Sequence, residues 1–213
     1  MKPRMWAAAT LTLLGGLAAA TARPQEDRQK TIDALLADLE GKAGQYWNVP
    51  REDGKLLNML VKMTGAKRAL EVGTANGYSG IWIGLGLEAT GGQLTTIEIN
   101  AEKAKEARAN FEKVRLADRI KVVEGDAHKV VRELEGPFDF VFIDAEMGND
   151  LDYFNVLFPK LSPGGVILRH NAITYANTMK DYLDAVKMHP ELDTVILSCT
   201  MKDGFCVSYK KKK

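Results

Sequence analysis

Ala69-Leu70-Glu71-Val72-Gly73-Thr74-Ala75-Asn76-Gly77-Tyr78-Ser79 is the stretch on which the fold turns. A short apolar run carries one acid, two glycines follow, and a helical pattern starts from Ser79. This is a strand, a turn and a helix in succession. Upstream, residues 25–40 place Ile32, Leu35, Leu36 and Leu39 at helical spacing, ended by Gly41 and Gly44. Residues 53–64 repeat the pattern with Leu56, Leu57, Leu60 and Val61. Downstream, strands are expected at 94–99, 120–123, 138–143 and 166–168. Helices are expected at 101–114, 128–134, 151–161 and 178–188, the last two stopped by Pro163-Gly164-Gly165 and by Pro190. Residues 195–199 and 205–209 read as a closing hairpin. Strand and helix alternate throughout, which predicts a doubly wound, Rossmann-like α/β sheet of about seven strands with a C-terminal antiparallel hairpin. The almost wholly apolar 138–143 run fits a central parallel strand covered on both faces.

The chain has 213 residues, 46% hydrophobic and 27% charged, which excludes disordered and collagenous classes. Its 29 basic and 28 acidic side chains leave a net charge of +1, too little for bulk nucleic-acid affinity. The charge is uneven. Without Lys2 and Arg4 it falls to −1, and without Lys210 to Lys213 as well it falls to −5, so the body is mildly acidic. The lysine run reads as a solvated end.

Residues 1–22 read as a secretory signal peptide. Lys2 and Arg4 precede an Ala- and Leu-rich stretch, and Ala20-Thr21-Ala22 has the small-x-small form of a cleavage site. The rival is an uncleaved membrane anchor through residues 5–22, at the short limit for crossing a bilayer. The first reading predicts export, periplasmic or secreted; the second predicts membrane association. In either case 23–213 is one domain. Cys199 and Cys206 flank a turn signal. Opposite each other across a two-residue loop they would suit a disulfide; two buried free thiols are the alternative.

In such sheets ligands sit beyond the C-terminal strand ends, near the switch in strand order. Those ends carry Glu71, Glu98, Asp126 and Asp144, and the fifth carries His170 and Asn171. The Gly73-x-x-x-Gly77 turn lacks the Gly-x-Gly-x-x-Gly spacing that brings backbone against a pyrophosphate. An acid directly before the glycines suits a cationic ligand. Glu98 stands where an acid holds ribose hydroxyls. A nucleoside with a positive group satisfies both, and S-adenosyl-L-methionine is such a ligand.

Residues 71–79 resemble motif I of the class I methyltransferases. More narrowly, the chain resembles the cation-dependent O-methyltransferases that include the caffeoyl-CoA and catechol enzymes. The likeness runs from about Val49 to Tyr209. It takes in Pro50 to Leu57, Thr96-Ile97-Glu98-Ile99-Asn100, Glu124-Gly125-Asp126-Ala127, Phe142-Ile143-Asp144-Ala145, Pro163-Gly164-Gly165-Val166 and the Lys202-Asp203-Gly204 turn. The resemblance implies that Glu71, Gly73, Thr74 and Ser79 line the methionine end of S-adenosyl-L-methionine. Glu98 would take the ribose, Asp126 and Ala127 would border the adenine, and Val49 would contribute through backbone. It also implies a small-molecule acceptor, a divalent metal and a homodimer.

The family holds its metal with an Asp after the fourth strand and an Asp-Asn pair after the fifth. Here Asp144 and Asn171 match, and the middle position is His170. Met147 stands where the family has the Lys assigned as general base, Asp150 where it has Tyr, and Thr174 where Trp is common. A hard cation prefers oxygen ligands, so imidazole points to a softer metal at Asp144, His170 and Asn171. Alternatively, His170 is the base, acting with Asp144 on the acceptor hydroxyl. A third reading makes it a bystander. The aromatic set Tyr46, Trp47 and Tyr175 is a candidate acceptor border, whereas His128 and His189 read as surface residues.

The expected activity is therefore methyl transfer to a hydroxyl of a small aromatic acceptor. The rivals are a degenerate module that binds the nucleoside without turnover and a metal-independent methyltransferase with another acceptor. Export would also separate the domain from a cofactor made inside cells.

Overall fold

A computed structural model describes residues 14–199 and 203–212, with side chains from Gln25 onward. Part of the 1–22 leader therefore lies outside the described residues, as do the side chains of the rest. Helix α1 (Leu14–Gly41) precedes α2 (Ala43–Tyr46) and α3 (Arg51–Thr64). The alternating body is β1 (Arg68–Val72), α4 (Tyr78–Thr90), β2 (Gln93–Glu98), α5 (Ala101–Lys113), β3 (Ile120–Glu124), α6 (Ala127–Glu133), β4 (Phe138–Ile143), α7 (Asp150–Leu157), β5 (Leu161–His170) and α8 (Lys180–Met188). The chain closes with β6 (Leu192–Leu197) and β7 (Phe205–Lys210). Among the described residues, no helix is long and apolar enough to cross a membrane.

The expected architecture is present: one seven-stranded sheet of order β3-β2-β1-β4-β5-β7-β6, parallel from β3 to β5 and antiparallel across β7 and β6. The order reverses between β1 and β4, so the crevice at their C-terminal ends is where such a sheet receives ligand. Side chains of β4 alternate between two cores. Phe140 and Phe142 join Leu36, Leu57, Tyr78 and Phe111 on one face. Val141 and Ile143 join Leu70, Val72, Tyr153 and Tyr182 on the other. Burial on both faces is why this strand reads as a continuous apolar run.

Three boundaries differ from the sequence reading. Helix α7 gives way at Leu157 to a 3-10 turn, Phe158–Lys160, because Pro159 cannot continue the helix. Pro163-Gly164-Gly165 does not end a helix but lies inside β5. There the pairing jumps from Phe138↔Leu161 to Phe140↔Val166, so the prolyl residue sits in a bulge where no ladder N–H is required. The closing hairpin has no two-residue loop. Leu197 pairs with Phe205, leaving Cys199 outside the ladder. The two cysteines are free thiols, Cys199 exposed and Cys206 buried, so the disulfide alternative does not hold. Lys210, the first of the lysine run, is anchored: its Nζ donates to the carbonyls of Phe158 (3.1 Å) and Leu161 (2.9 Å), while Lys211 and Lys212 are exposed.

Candidate active site

The β1 turn is locked onto the end of β4. Asp144 N donates to the Val72 carbonyl at 2.8 Å, and the amides of Gly73 and Thr74 both donate to the Ile97 carbonyl at 3.1 Å. Gly73 has φ +98°, and a Cβ there would meet the Asp144 carbonyl oxygen at 2.1 Å. No residue with a side chain fits, so this glycine serves close approach of two strand ends.

Behind that turn lies a buried polar relay. Glu71 is fully enclosed and accepts from Ser79 Oγ and Thr96 Oγ1, each at 2.6 Å. Thr96 Oγ1 lies 2.5 Å from Thr74 Oγ1. Burial pushes the Glu71 carboxyl up to about 7, against the opposing pull of those hydroxyls and with help from Asp144 and Glu98. Ser79, Thr74 and Gly73 line the cavity, and Glu71 acts through them from one layer back. Glu98 ends β2 with both oxygens fixed by backbone: Oε2 accepts from Ala75 N (2.8 Å) and Oε1 from Asn100 N (2.9 Å). Asp126 caps α6 by accepting from His128 N at 2.9 Å, and Gly125 N ties that turn to the Glu98 carbonyl at 2.9 Å. Val49, Asp126 and Ala127 all reach the same cavity.

That cavity holds about 710 Å³ and runs from Glu98 and Asp126 past Ser79 to Asp144, His170 and Asn171. Tyr46, Trp47 and Tyr175, the aromatic set expected from sequence, also line it, together with Met147. Apart from Glu71, every predicted site residue lines this one space.

Asp53, to which the sequence reading gave no role, completes it. His170 is 3% exposed, with Nε2 at 2.9 Å from Asp53 Oδ2 and Nδ1 at 3.3 Å from Asp144 Oδ1. Asp53 comes from α3, whose Gly54 packs directly on Trp82 of α4. Burial works against the imidazolium, but Asp144 and Asp53 more than offset it and raise His170 to about 9. Cys199 also neighbours Asp53; although the residue is exposed, partial desolvation of the thiol and that carboxylate push it up to about 11, away from the reactive thiolate. The expected metal set is thus brought together but does not fit an ion. A ligating imidazole needs one nitrogen free to face the metal, and both here face carboxylates. Among the described residues, no three His, Cys, Asp or Glu side chains converge on a metal position.

The stretch after β4 is held from below. Arg169 is fully enclosed on β5, and its Nε pairs with the buried Asp150. Its other nitrogens donate to the carbonyls of Ile143 (3.2 Å), Ala145 (3.3 Å) and Glu146 (3.4 Å). Asp150 Oδ2 accepts from Gly148 N at 3.1 Å. Asp150, a departure from the family pattern, is therefore the partner of Arg169. His128 is half-buried at the surface: it stacks on Tyr153 at 4.3 Å and bonds Asp152 (2.9 Å) and Glu146 (2.8 Å). His189 packs against Phe154 and Phe158.

A profile of the O-methyltransferase family matches residues 25–196. A catechol O-methyltransferase of Mycobacterium tuberculosis is 33% identical over 169 residues, covering 74% of this chain and 76% of that protein. A caffeoyl-CoA O-methyltransferase of Zea mays is 35% identical over 143 residues, covering 63% of this chain and 55% of that protein. The chain thus spans about three quarters of the first relative and about half of the second. Among solved structures, the O-methyltransferase from Bacillus cereus in complex with SAH superposes with a TM-score of 0.76 at 29% identity, covering 84% of this chain and 91% of that one. With the strand-end acids, the relay behind the β1 turn and the shared cavity, these likenesses place the chain in the S-adenosylmethionine-dependent O-methyltransferase family.

Proposed function

We propose that this chain transfers the sulfonium methyl of S-adenosyl-L-methionine to a hydroxyl of a small aromatic acceptor that is neutral or cationic. One observation carries the reading: a single cavity joins Ser79 and Glu98 to Asp144, Asn171, Trp47, Met147 and Tyr175. Cofactor and acceptor can therefore lie end to end in one space. In this reading Glu98 takes the ribose hydroxyls. Glu71, through Ser79 and Thr96, fixes the Ser79 and Thr74 hydroxyls at the methionine end. Trp47, Met147 and Tyr175 receive the acceptor ring.

Transfer is an in-line displacement, and the main contribution of the site is to hold acceptor oxygen and methyl in contact. Met147 cannot take a proton. Asp144 engages His170 through Oδ1 and supplies the carboxylate that accepts the hydroxyl hydrogen as the oxygen attacks.

The acceptor end sets the charge preference. Among the described lining residues it carries Asp144, Glu146 and Asp203; of the cavity's two cations, His170 is already paired with Asp53 and Asp144, and Lys103 stands on α5 over Tyr46, on the Glu98 side. A polyphosphate arm would meet carboxylates there. One uncompensated like-charge contact is worth about 1–4 kcal/mol near a protein surface. A catechol amine should therefore exceed a catechol thioester of coenzyme A in kcat/KM by at least about tenfold. Comparable kcat/KM for the two would sink the charge argument, and no transfer to any phenolic hydroxyl would sink the function.

A further inference from the structure

We propose that His170 is the fixed cation of this site, an imidazolium clamped between Asp53 and Asp144, and that the chain binds cofactor and acceptor without a divalent metal. The inference deepens the methyl-transfer reading and rests on it. The observation is geometric. Nε2 lies 2.9 Å from one carboxylate and Nδ1 3.3 Å from another. Two acceptors require two donors, and an imidazole presents two N–H groups only as the cation. The ring cannot swing to offer a lone pair elsewhere. It is 3% exposed and packed against Phe205 at 4.9 Å and Phe142 at 6.4 Å. Its backbone is fixed as well, because His170 pairs with Phe205 in the β5–β7 ladder.

Asp53 is the second half of the device. It is 2% exposed, and a buried carboxylate without a partner is costly. His170 supplies that partner. The same contacts occupy Asp53 Oδ2 and Asp144 Oδ1, and the two carboxylates already share one positive charge between them. An arriving divalent ion would have to displace a buried, hydrogen-bonded imidazolium from Asp144 and leave Asp53 unpaired. The positive charge at the cavity wall then comes from the chain itself.

The test is metal binding, read independently of turnover. Purified full-length protein with bound S-adenosylhomocysteine is titrated into Mn²⁺, followed by the loss of the free-ion EPR signal. Co²⁺, followed by its visible absorption, covers softer ions. The wild-type protein is expected to leave both signals unchanged, and chelators to leave methyl transfer unchanged. His170→Asp replaces the cation with a third carboxylate and is expected to tighten Mn²⁺ at least tenfold. His170→Gln, which frees both carboxylates without adding one, is expected to gain weaker binding and serves if His170→Asp does not fold. Stoichiometric Mn²⁺ or Co²⁺ binding by the wild type, abolished by Asp144→Asn, would overturn the proposal. So would folded His170→Asp and His170→Gln that both gain nothing. Loss of transfer with these metal results intact would instead count against the methyl-transfer reading.

Discussion

Arg169→Met tests whether the buried Arg169–Asp150 pair holds the acceptor-side wall. Methionine keeps most of the stem volume and removes the guanidinium. Asp150, 2% exposed, then becomes a buried carboxylate with no cation, and the carbonyls of Ile143, Ala145 and Glu146 lose their donor. Removing one partner of a buried pair costs about 3–5 kcal/mol. For a chain of this size each kcal/mol moves Tm by about 2–4 °C, so the expected fall is about 6–20 °C. Urea unfolding of wild type, Arg169→Met, Asp150→Asn and the double variant completes a cycle. Because the double variant leaves neither charge buried, it should be more stable than the sum of the singles by about 2 kcal/mol or more. The 143–150 stretch carries Asp144 and Met147, so S-adenosylhomocysteine affinity should fall in Arg169→Met alongside stability. A loss under about 1 kcal/mol, or strict additivity in the cycle, would refute the clamp.

Glu98→Ala should weaken S-adenosylhomocysteine by about 1.5–3 kcal/mol, the range for hydrogen bonds to a charged group, read by calorimetry; unchanged affinity would remove the ribose assignment. Glu71→Gln tests the buried carboxyl by pH. Because its folded pKa of about 7 is raised, the acid is favoured in the fold, and stability is fully present below about 4.5 and lost as pH rises toward 7. At pH 8, without cofactor, Glu71→Gln should therefore exceed wild type by up to about 3 kcal/mol, an advantage that fades by pH 5. A constant difference across that range would show that Glu71 is not held as the acid.

Much of the site was readable because chemistry and topology coincide in this fold. Glu71, Glu98, Asp126, Asp144 and His170 each stand at or just beyond the end of a strand, and strand ends gather at the switch point. Asp53 was not readable. It lies 117 positions from His170 and sits in the first turn of α3, where an acid ordinarily answers the helix dipole. Arg169 did carry a signal that periodicity passes over: a charge directly after Val166-Ile167-Leu168 in a central strand must be paired when buried. Pro163-Gly164-Gly165 read as a stop because a bulge and a helix end use the same residues. The Cys199–Cys206 pairing failed for the opposite reason: a turn signal does not set loop length, and here β6 ends before Cys199.

The most direct measurement is transfer of a trideuteromethyl group from labelled S-adenosyl-L-methionine to catechol and to a catechol amine, followed by mass spectrometry, with wild type beside Asp144→Asn. Label is expected on a phenolic oxygen with wild type. Asp144→Asn should bind S-adenosylhomocysteine and transfer at least about a hundredfold more slowly, the contribution typical of a positioned acid–base group. Tight cofactor binding with no label on either acceptor, or full activity in Asp144→Asn, would contradict methyl transfer by the chemistry described at this site.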